Sequence, residues 1–323
     1  MMWKKRLSAA LYAAMLLSVA AGCAELETGY LPADTQSVEL TCLEDEAVAL
    51  AAAPAAVPAA LEPERGVLVK ANNRAEIDYS NTEDGYVMVR PLLDSGKRWK
   101  ALVKGSSTTY TYNLTPGSWS VFPLSDGNGD YRITVYENVS GTSYAAVLSL
   151  NCSVTLRDEF APFLHANQYV DYDAALNTVA KAVELTAGAQ TELEKVAAVY
   201  DYVVKNLTYD RQMAASVTSG YLPVLDQVLE KKSGICFDYA ALMTGMLRSQ
   251  GVPCKLVVGY AGTVYHAWIS VWTAEHGWVD NVVYFNGSAW QRMDPTFASG
   301  GGKDPAILRY IGDGSNYTAR YFY

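Results

Sequence analysis

The chain has 323 residues, of which 50% are hydrophobic and 18% are charged, and its formal net charge at pH 7 is -9. This composition is typical of a packed globular protein and excludes a disordered or fibrous chain. The negative charge disfavours electrostatic binding to nucleic acid or to anionic lipid. The length is that of about two domains.

Residues 1–22 predict a signal peptide. A basic stretch at residues 4–6 precedes an apolar run at residues 7–21, which is too short to span a bilayer comfortably. The run ends in small residues followed by Cys23, and this ending resembles a bacterial lipobox, the site where the cysteine is lipidated and becomes the new N-terminus. We therefore expect an extracytoplasmic lipoprotein anchored to the cell membrane at Cys23. Ordinary cleavage with secretion, or an uncleaved anchor, is the alternative.

An Ala/Pro-rich tract follows the predicted lipidation site. Pro54 and Pro58 interrupt residues 47–61, where the small side chains offer little to pack. We interpret residues 23–64 as a lipid-anchored tether, with a short Ala-rich helix at residues 46–53 as the alternative. Residues 23–323 hold 22 basic and 34 acidic residues, so attachment to a membrane should come from Cys23 and not from charge.

Residues 65–157 predict a small β-sandwich module of immunoglobulin-like type. Runs of β-branched and aromatic residues alternate with Gly, Pro, Asn and Asp turn signals. Short strands at this spacing are typical of an antiparallel sandwich. The predicted strands include residues 86–89, 107–114, 119–122, 131–136 and 144–150.

The hydrophobic period becomes helical after about residue 160, and residues 158–323 predict an α+β domain. Thr191 and Glu194 have the spacing of a capping box in front of an amphipathic helix, and a weaker helical pattern covers residues 174–185. A further helix is expected after Ser233, which we interpret as its N-cap, and ends at Gly251 and Pro253.

Cys236 is predicted to lie in the first turn of that helix. There the unpaired backbone N–H groups and the helix dipole stabilise a negatively charged sulfur. A nucleophilic thiol also needs an imidazole, and His266 begins a predicted strand after the strand that starts at Cys254. A third group should orient the ring, and Asp294 lies at the end of a later strand, directly before Pro295.

Short motifs follow one another along this part of the chain: Ser233-Gly234-Ile235-Cys236-Phe237-Asp238-Tyr239-Ala240, Gly251-Val252-Pro253-Cys254, Gly259-Tyr260, Tyr265-His266-Ala267-Trp268, and Trp290 with Asp294-Pro295-Thr296. Together they resemble the bacterial transglutaminase-like superfamily, which is related to papain-like cysteine enzymes. The resemblance covers about residues 174–297.

The resemblance implies a catalytic triad in which Cys236 is the nucleophile, His266 the general acid/base and Asp294 its orienting partner. It also implies a papain/transglutaminase-like domain in which a Cys-bearing helix packs on an antiparallel sheet. The family includes transglutaminases, peptidases, amidases and members without activity, so the resemblance leaves the substrate open.

One part of the papain-like pattern is absent. Those enzymes often carry a Gln a few residues before the cysteine to help bind the oxyanion, whereas Gln227 lies nine residues upstream and the intervening Glu230 has the wrong charge. The oxyanion would then be bound by the Cys236 backbone N–H together with an unidentified donor, for which we consider an aromatic N–H or O–H.

The remaining aromatic and cysteine residues have less specific patterns. Tyr260, Tyr265 and Trp268 could line a substrate cleft, although the same pattern fits core packing. An enzyme requires Cys236 to be a free thiol, which leaves Cys42 and Cys152 as the natural disulfide pair because Cys254 reads as a buried strand residue. The sequence contains no closely spaced His/Cys/Asp cluster of the kind that binds a metal ion, so we expect neither a metal site nor a cofactor.

The leading hypothesis is a surface thiol enzyme that acts on amide bonds through an acyl-enzyme intermediate. Water would resolve this intermediate in a peptidase or amidase, and an amine would resolve it in a transglutaminase. Extracellular proteins and cell-wall peptides are the candidate substrates. The alternative is a catalytically inactive binding module on the same scaffold, with the β sandwich contributing to recognition.

Overall fold

A computed structural model describes residues 66–274, 277–279, 283–285, 290–292 and 317–323, which all belong to one compact unit. The predicted signal peptide and tether therefore lie outside the described residues. Cys23, Cys42 and Asp294 also lie outside them.

Two antiparallel sheets form the N-terminal module, as predicted. Among the described residues one sheet has the order β1-β2-β3-β6 and the other the order β5-β4-β7-β8. The strands are β1 Val69–Ala71, β2 Ala75–Asp78, β3 Tyr86–Pro91, β4 Trp99–Lys104, β5 Thr109–Leu114, β6 Ser120–Pro123, β7 Gly129–Ser140 and β8 Ser143–Val154.

The core of the module follows from alternation along the strands. In β5, Tyr110, Tyr112 and Leu114 are buried while the residues between them are exposed. Side chains of a strand point to its two faces in turn, so one face of each sheet is apolar and packs inward. The prediction of an all-β module before the α+β domain is confirmed.

Five α-helices of the described residues belong to the C-terminal part, after a short 3-10 helix at Ala161–Phe163. They are α1 Leu176–Thr186, α2 Glu192–Asn206, α3 Arg211–Ser216, α4 Leu225–Lys231 and α5 Cys236–Arg248. Thr191 caps α2 as predicted, because its side chain accepts the backbone N–H of Glu194. The Glu194 carboxylate accepts the backbone N–H of Gln190, one residue before the position that a capping box uses. Within the described ranges every helix is too short or too polar to cross a lipid bilayer.

An antiparallel sheet of order β13-β12-β11-β16 packs against α5. Its strands are β11 Cys254–Ala261, β12 Val264–Thr273, β13 Gly277–Val279 and β16 Tyr317–Phe322. Smaller pairs are formed by β9 Thr208–Tyr209 with β10 Ser233–Gly234, and by β14 Val283–Phe285 with β15 Trp290–Arg292. The predicted Cys-bearing helix on an antiparallel sheet is therefore confirmed.

Gly259 of β11 allows β16 to approach closely. A Cβ at this position would lie 2.1 Å from the Thr318 carbonyl oxygen and 2.9 Å from the Trp268 ring. Both distances are shorter than van der Waals contact, so only glycine fits between the two neighbouring strands.

The start of α5 differs from the prediction. Ser233 does not cap the helix, because it pairs with Thr208 in the short β9–β10 ladder and the helix begins at Cys236. Lys232, the residue before Ser233, adopts φ = 51°. This left-handed conformation ends α4 and turns the chain into β10. The capping acceptor is Asp238, which lies inside α5.

Aromatic side chains join the sandwich to the C-terminal sheet. Tyr323 directly follows β16, and its ring lies 5.6 Å from that of Tyr110 and 6.0 Å from that of Tyr112. On its other side Tyr323 contacts Tyr169, with ring centroids 4.5 Å apart. The predicted boundary between residues 157 and 158 stays a prediction.

Candidate active site

Cys236 is the first residue of α5 and its side chain is half-buried. The sequence argument placed it in this turn, where the first backbone N–H groups have no partner within the helix. Cys236 and Cys254 are both free thiols. The described cysteines thus contain no Cys236–Cys254 bridge of the kind that would exclude a nucleophilic role.

Asp238 organises the N-terminus of α5 from within the helix. It accepts the backbone N–H of Ile235 at 2.8 Å and the Tyr221 hydroxyl at 2.5 Å. Burial raises the pKa of Asp238, although both hydrogen bonds oppose this rise. A Cβ on Gly234 would lie 2.6 Å from the Asp238 Cβ, so the preceding glycine is needed for this turn. Asp238 therefore has the contacts of a helix N-terminal acid.

His266 is the third residue of β12 and pairs with Gly259 of β11. Its side chain is buried, with 6% exposed. The imidazole lies 6.3 Å from the Trp268 ring at an interplanar angle of 25°, and 6.3 Å from the Tyr317 ring. Alternation along β12 puts Trp268 on the same face as His266, and this contact helps to bury the imidazole.

The contacts of the neighbouring strand β11 show which face of β12 is turned toward α5. The Cys254 thiol lies 3.6 Å from the Thr244 hydroxyl of α5, so Cys254 is on the face toward the helix. Cys254 pairs with Val271, and alternation along β12 then puts Tyr265 on the same face. His266 lies on the other face, so its pairing with Cys236 stays a prediction.

Tyr265 is the exposed aromatic residue of this region, with 59% of its surface accessible. Its ring lies 5.5 Å from that of Tyr260, and the Arg320 guanidinium lies 5.6 Å from the Tyr260 ring centroid. Burial of the phenol raises the pKa of Tyr265, and the charges of Tyr321, Tyr260 and Cys236 raise it further. The tyrosine before the histidine is therefore within electrostatic reach of the thiol.

The predicted cleft residues separate into two groups. Tyr260 and Tyr265 reach the surface, whereas Trp268 is only 2% exposed and packs in the core. Sequence reasoning missed Tyr221 and Arg320, because neither belongs to a motif and their partners are distant along the chain. Asp294 lies outside the described residues, so the complete triad stays a prediction. Among the described residues no His/Cys/Asp/Glu group could hold a metal ion.

Residues 179–295 match the family model described as the transglutaminase-like superfamily. The matched segment begins within α1 and contains Cys236, His266 and Asp294. These residues form a transglutaminase-like domain. The predicted family is thereby confirmed for this part of the chain, together with the helix-on-sheet fold that it implies.

Curated relatives of the transglutaminase-like domain are larger proteins. The uncharacterized protein YebA of Bacillus subtilis is 26% identical over 181 residues, which are 49% of this chain and 24% of that protein. A protein-glutamine gamma-glutamyltransferase of Pseudomonas aeruginosa is 32% identical over 68 residues, which are 17% and 10% of the two chains. The chain thus spans about a quarter or less of these relatives.

Solved structures related to the transglutaminase-like domain include the periplasmic domain of TgpA from Pseudomonas aeruginosa bound to ethylmercury. It is 18% identical to this chain, and the match covers 66% of this chain and 90% of that one with a TM-score of 0.33. Red sea bream transglutaminase is 13% identical, with coverages of 65% and 48% and a TM-score of 0.28.

Proposed function

We propose that the protein is an extracytoplasmic thiol enzyme that acts on amide bonds of surface proteins or cell-wall peptides. The observation that carries the proposal is the half-buried free thiol of Cys236 at the first residue of α5, inside the transglutaminase-like domain. The helix N-terminus supplies unpaired N–H groups and a positive dipole end, which favour a thiolate.

The proposed reaction has two steps. The Cys236 thiolate attacks the amide carbonyl carbon, and the carbonyl electrons move onto oxygen. The C–N bond then breaks, and His266 gives a proton to the departing amine while Asp294 orients the imidazole. Water or a second amine attacks the resulting thioester and releases Cys236.

A measurement of alkylation against pH tests the nucleophile. We expect iodoacetamide to label Cys236 well below pH 7, because the helix N-terminus and an imidazolium stabilise the thiolate. Cys254 is an internal control, since burial raises its pKa to about 11 and no labelling is expected in the folded protein. Cys236→Ala should remove the label, and His266→Ala should move the labelling midpoint toward that of a free thiol, about 8.5.

A binding module without turnover is the second candidate. It is favoured by the position of His266 on the face of β12 away from α5. If Cys236 is labelled with a midpoint near that of a free thiol, and His266→Ala changes nothing, the ion pair is absent and the binding module replaces the enzyme. In the same labelling experiment, Asp294→Ala should shift the alkylation midpoint of Cys236 less than His266→Ala does.

Competition between water and a primary amine for the acyl-enzyme separates hydrolysis from transamidation. We expect hydrolysis. A hydrolase forms the free acid at the same rate with or without added amine, whereas a transglutaminase-type enzyme forms the amide product in proportion to the amine.

We further propose attachment to the membrane through a lipid on Cys23. The basic residues, the short apolar run and the small residues before Cys23 support it. In a bacterial host the parent protein should fractionate with membranes and carry the added lipid mass, and Cys23→Ser should abolish both. Cys42→Ser is the matched control and should stay in the membrane fraction. Cleavage at another position with release into the soluble fraction would favour the secreted alternative.

A further inference from the structure

An acyl-transfer site needs donors for the oxygen that becomes negative when the thiolate attacks. The backbone N–H of Cys236 is one such donor, since it is the first residue of α5 and its N–H has no acceptor within the helix. The side chain that commonly supplies the second donor in papain-like enzymes is absent from this sequence. Gln227 lies in α4 and not in the turn before Cys236.

Tyr265 is on the side of the sheet where such a donor is required. The face of β12 that contains Tyr265 also contains Val271, and the paired Cys254 contacts α5 through Thr244. Strand β12 packs directly against α5. The Tyr265 side chain therefore projects from the helix-facing side of the sheet at the end of β12 where the polypeptide reaches the surface.

The rings around the start of α5 form a cluster of tyrosines and phenylalanine. Phe237 follows the nucleophile and lies 5.6 Å from Tyr169, which in turn lies 4.5 Å from Tyr323. Tyr265 lies within electrostatic range of this group from β12, because its charge raises the pKa of both Tyr169 and Tyr323. The charge of Cys236 in turn raises the pKa of Tyr265. Within this cluster Tyr265 is the exposed member, so its hydroxyl can reach a bound substrate.

We propose that the Tyr265 hydroxyl is the second oxyanion donor, completing with the Cys236 backbone N–H the hole that a Gln provides in papain-like enzymes. This proposal rests on the thiol enzyme proposed above. When the Cys236 sulfur bonds to the carbonyl carbon, the π electrons move to the carbonyl oxygen, which accepts hydrogen bonds from the Tyr265 hydroxyl and the Cys236 N–H. Collapse of the intermediate returns those electrons to the carbonyl and breaks the bond to the leaving group.

A donor must keep its proton at the working pH. The pKa of Tyr265 is raised, mainly by burial of the phenol, so the hydroxyl is neutral throughout the physiological range. It can therefore donate to a developing oxyanion without a prior proton transfer.

Two reagents separate the proposed role from a structural one. Iodoacetamide alkylates the thiolate at a CH₂ carbon, where iodide leaves and no oxyanion forms. p-Nitrophenyl acetate acylates the thiolate through a tetrahedral oxyanion, and p-nitrophenolate leaves as an anion without a general acid. A hydrogen bond to the oxyanion should therefore affect acylation alone.

We expect Tyr265→Phe to slow the p-nitrophenolate burst by roughly 10²- to 10³-fold, the loss typical of one oxyanion-hole donor. Its alkylation by iodoacetamide at pH 6 should keep the parent rate. Tyr321→Phe removes a neighbouring hydroxyl and should leave both rates unchanged.

Other outcomes would overturn the proposal. If Tyr265→Phe acylates at the parent rate, or if both reactions slow equally, Tyr265 does not bind the oxyanion. If the parent protein is alkylated below pH 7 but gives no burst, Tyr265 has no oxyanion to bind and the proposal fails while the reactive thiol remains. A parent protein that is not alkylated below pH 7 would overturn the thiol enzyme itself as well.

Discussion

The two ends of α5 lie in opposite environments although they belong to one 13-residue helix. At the N-terminus Cys236 is half-buried and Tyr265 is largely exposed. At the C-terminus Arg248 is only 3% exposed, and Cys254, which follows the helix, is completely buried. The same helix therefore holds a free thiol near solvent at one end and is buried in the core at the other.

Arg248 shows how the buried end is built. Its guanidinium donates to the carbonyl oxygens of Cys254 at 2.9 Å, His165 at 2.7 Å and Tyr323 at 2.6 Å. Burial lowers the pKa of Arg248 to about 10, which still leaves it charged at neutral pH. A buried charge is tolerated when its donors are satisfied, and here one side chain connects α5 to the start of β11 and to two segments that are distant along the chain.

Arg248→Met should have the largest effect on stability. The substitution removes the guanidinium donor from three carbonyl oxygens, of which that of Tyr323 also accepts the Leu256 N–H. We expect a loss of about 3 to 5 kcal/mol in the free energy of unfolding. Urea denaturation would measure it. Arg157→Met is the matched control, because Arg157 is exposed and its ion pairs with Glu83 and Asp84 are 3.7 Å and 3.3 Å long. The control should change stability by at most about 0.5 kcal/mol.

Equal urea midpoints for Arg248→Met and Arg157→Met would show that the buried hydrogen bonds of Arg248 do not stabilise the fold. Folded Arg248→Met at low temperature should still be alkylated at Cys236. Loss of that reactivity without unfolding would mean that the two ends of α5 are not separable.

The two cysteines give a more direct comparison. Cys254→Ala removes a buried sulfur and its 3.6 Å contact with Thr244, and should cost about 1 kcal/mol of stability while Cys236 keeps its reactivity. Cys236→Ala should do the reverse, with labelling abolished and stability changed by at most about 0.5 kcal/mol. Parallel urea titrations and mass spectrometry of alkylated peptides would check both. A large stability loss in Cys236→Ala would assign that residue to the core.

Titration of Asp238 should have the smallest of these effects on stability, and it should appear as a change in the free energy of unfolding with pH. Burial raises its pKa in the folded state above the ordinary value of 3.8, so the folded protein favours the protonated acid. Its contribution to stability is therefore complete below that ordinary value and is lost as the pH rises through the raised folded pKa.

Comparison of Asp238→Asn with the parent isolates this slope. The amide does not titrate, so the parent should lose stability relative to the variant from about pH 4 upward, on top of a constant offset from the altered hydrogen bonds. Urea midpoints at several pH values would measure the difference. Parallel curves for the two proteins would show that Asp238 has no raised pKa.

Local sequence signals predicted much of the fold. Alternation of apolar residues identified the strand around Ile133, and the capping spacing identified the start of α2 at Thr191. The position of Cys236 in a first helical turn was predicted from Ser233 as the N-cap and from an end at Gly251 and Pro253, and the helix does begin at Cys236. Each of these patterns depends on residues that are near one another along the chain.

The incorrect or missing predictions depend on distant residues. Ser233 has the chemistry of an N-cap, but its pairing with Thr208 takes it into a ladder instead. Arg248 looks like an ordinary basic residue in a last helical turn, and two of its three acceptors are 83 and 75 positions away. Trp268 is a core residue that the Tyr317 ring of β16 contacts at 5.2 Å, and this strand lies about 50 residues further along the chain.

Gly259 has a consequence for the genetics of this protein. It has no side chain to react or to bind, yet any substitution there would push β16 away from β11 and shift Tyr317 beside the imidazole of His266. A screen for loss of function should therefore recover substitutions at Gly259, which has no side-chain chemistry of its own, together with substitutions at Cys236. Temperature-sensitive alleles would be expected at Gly259, because the distortion weakens a strand pairing and removes no side chain.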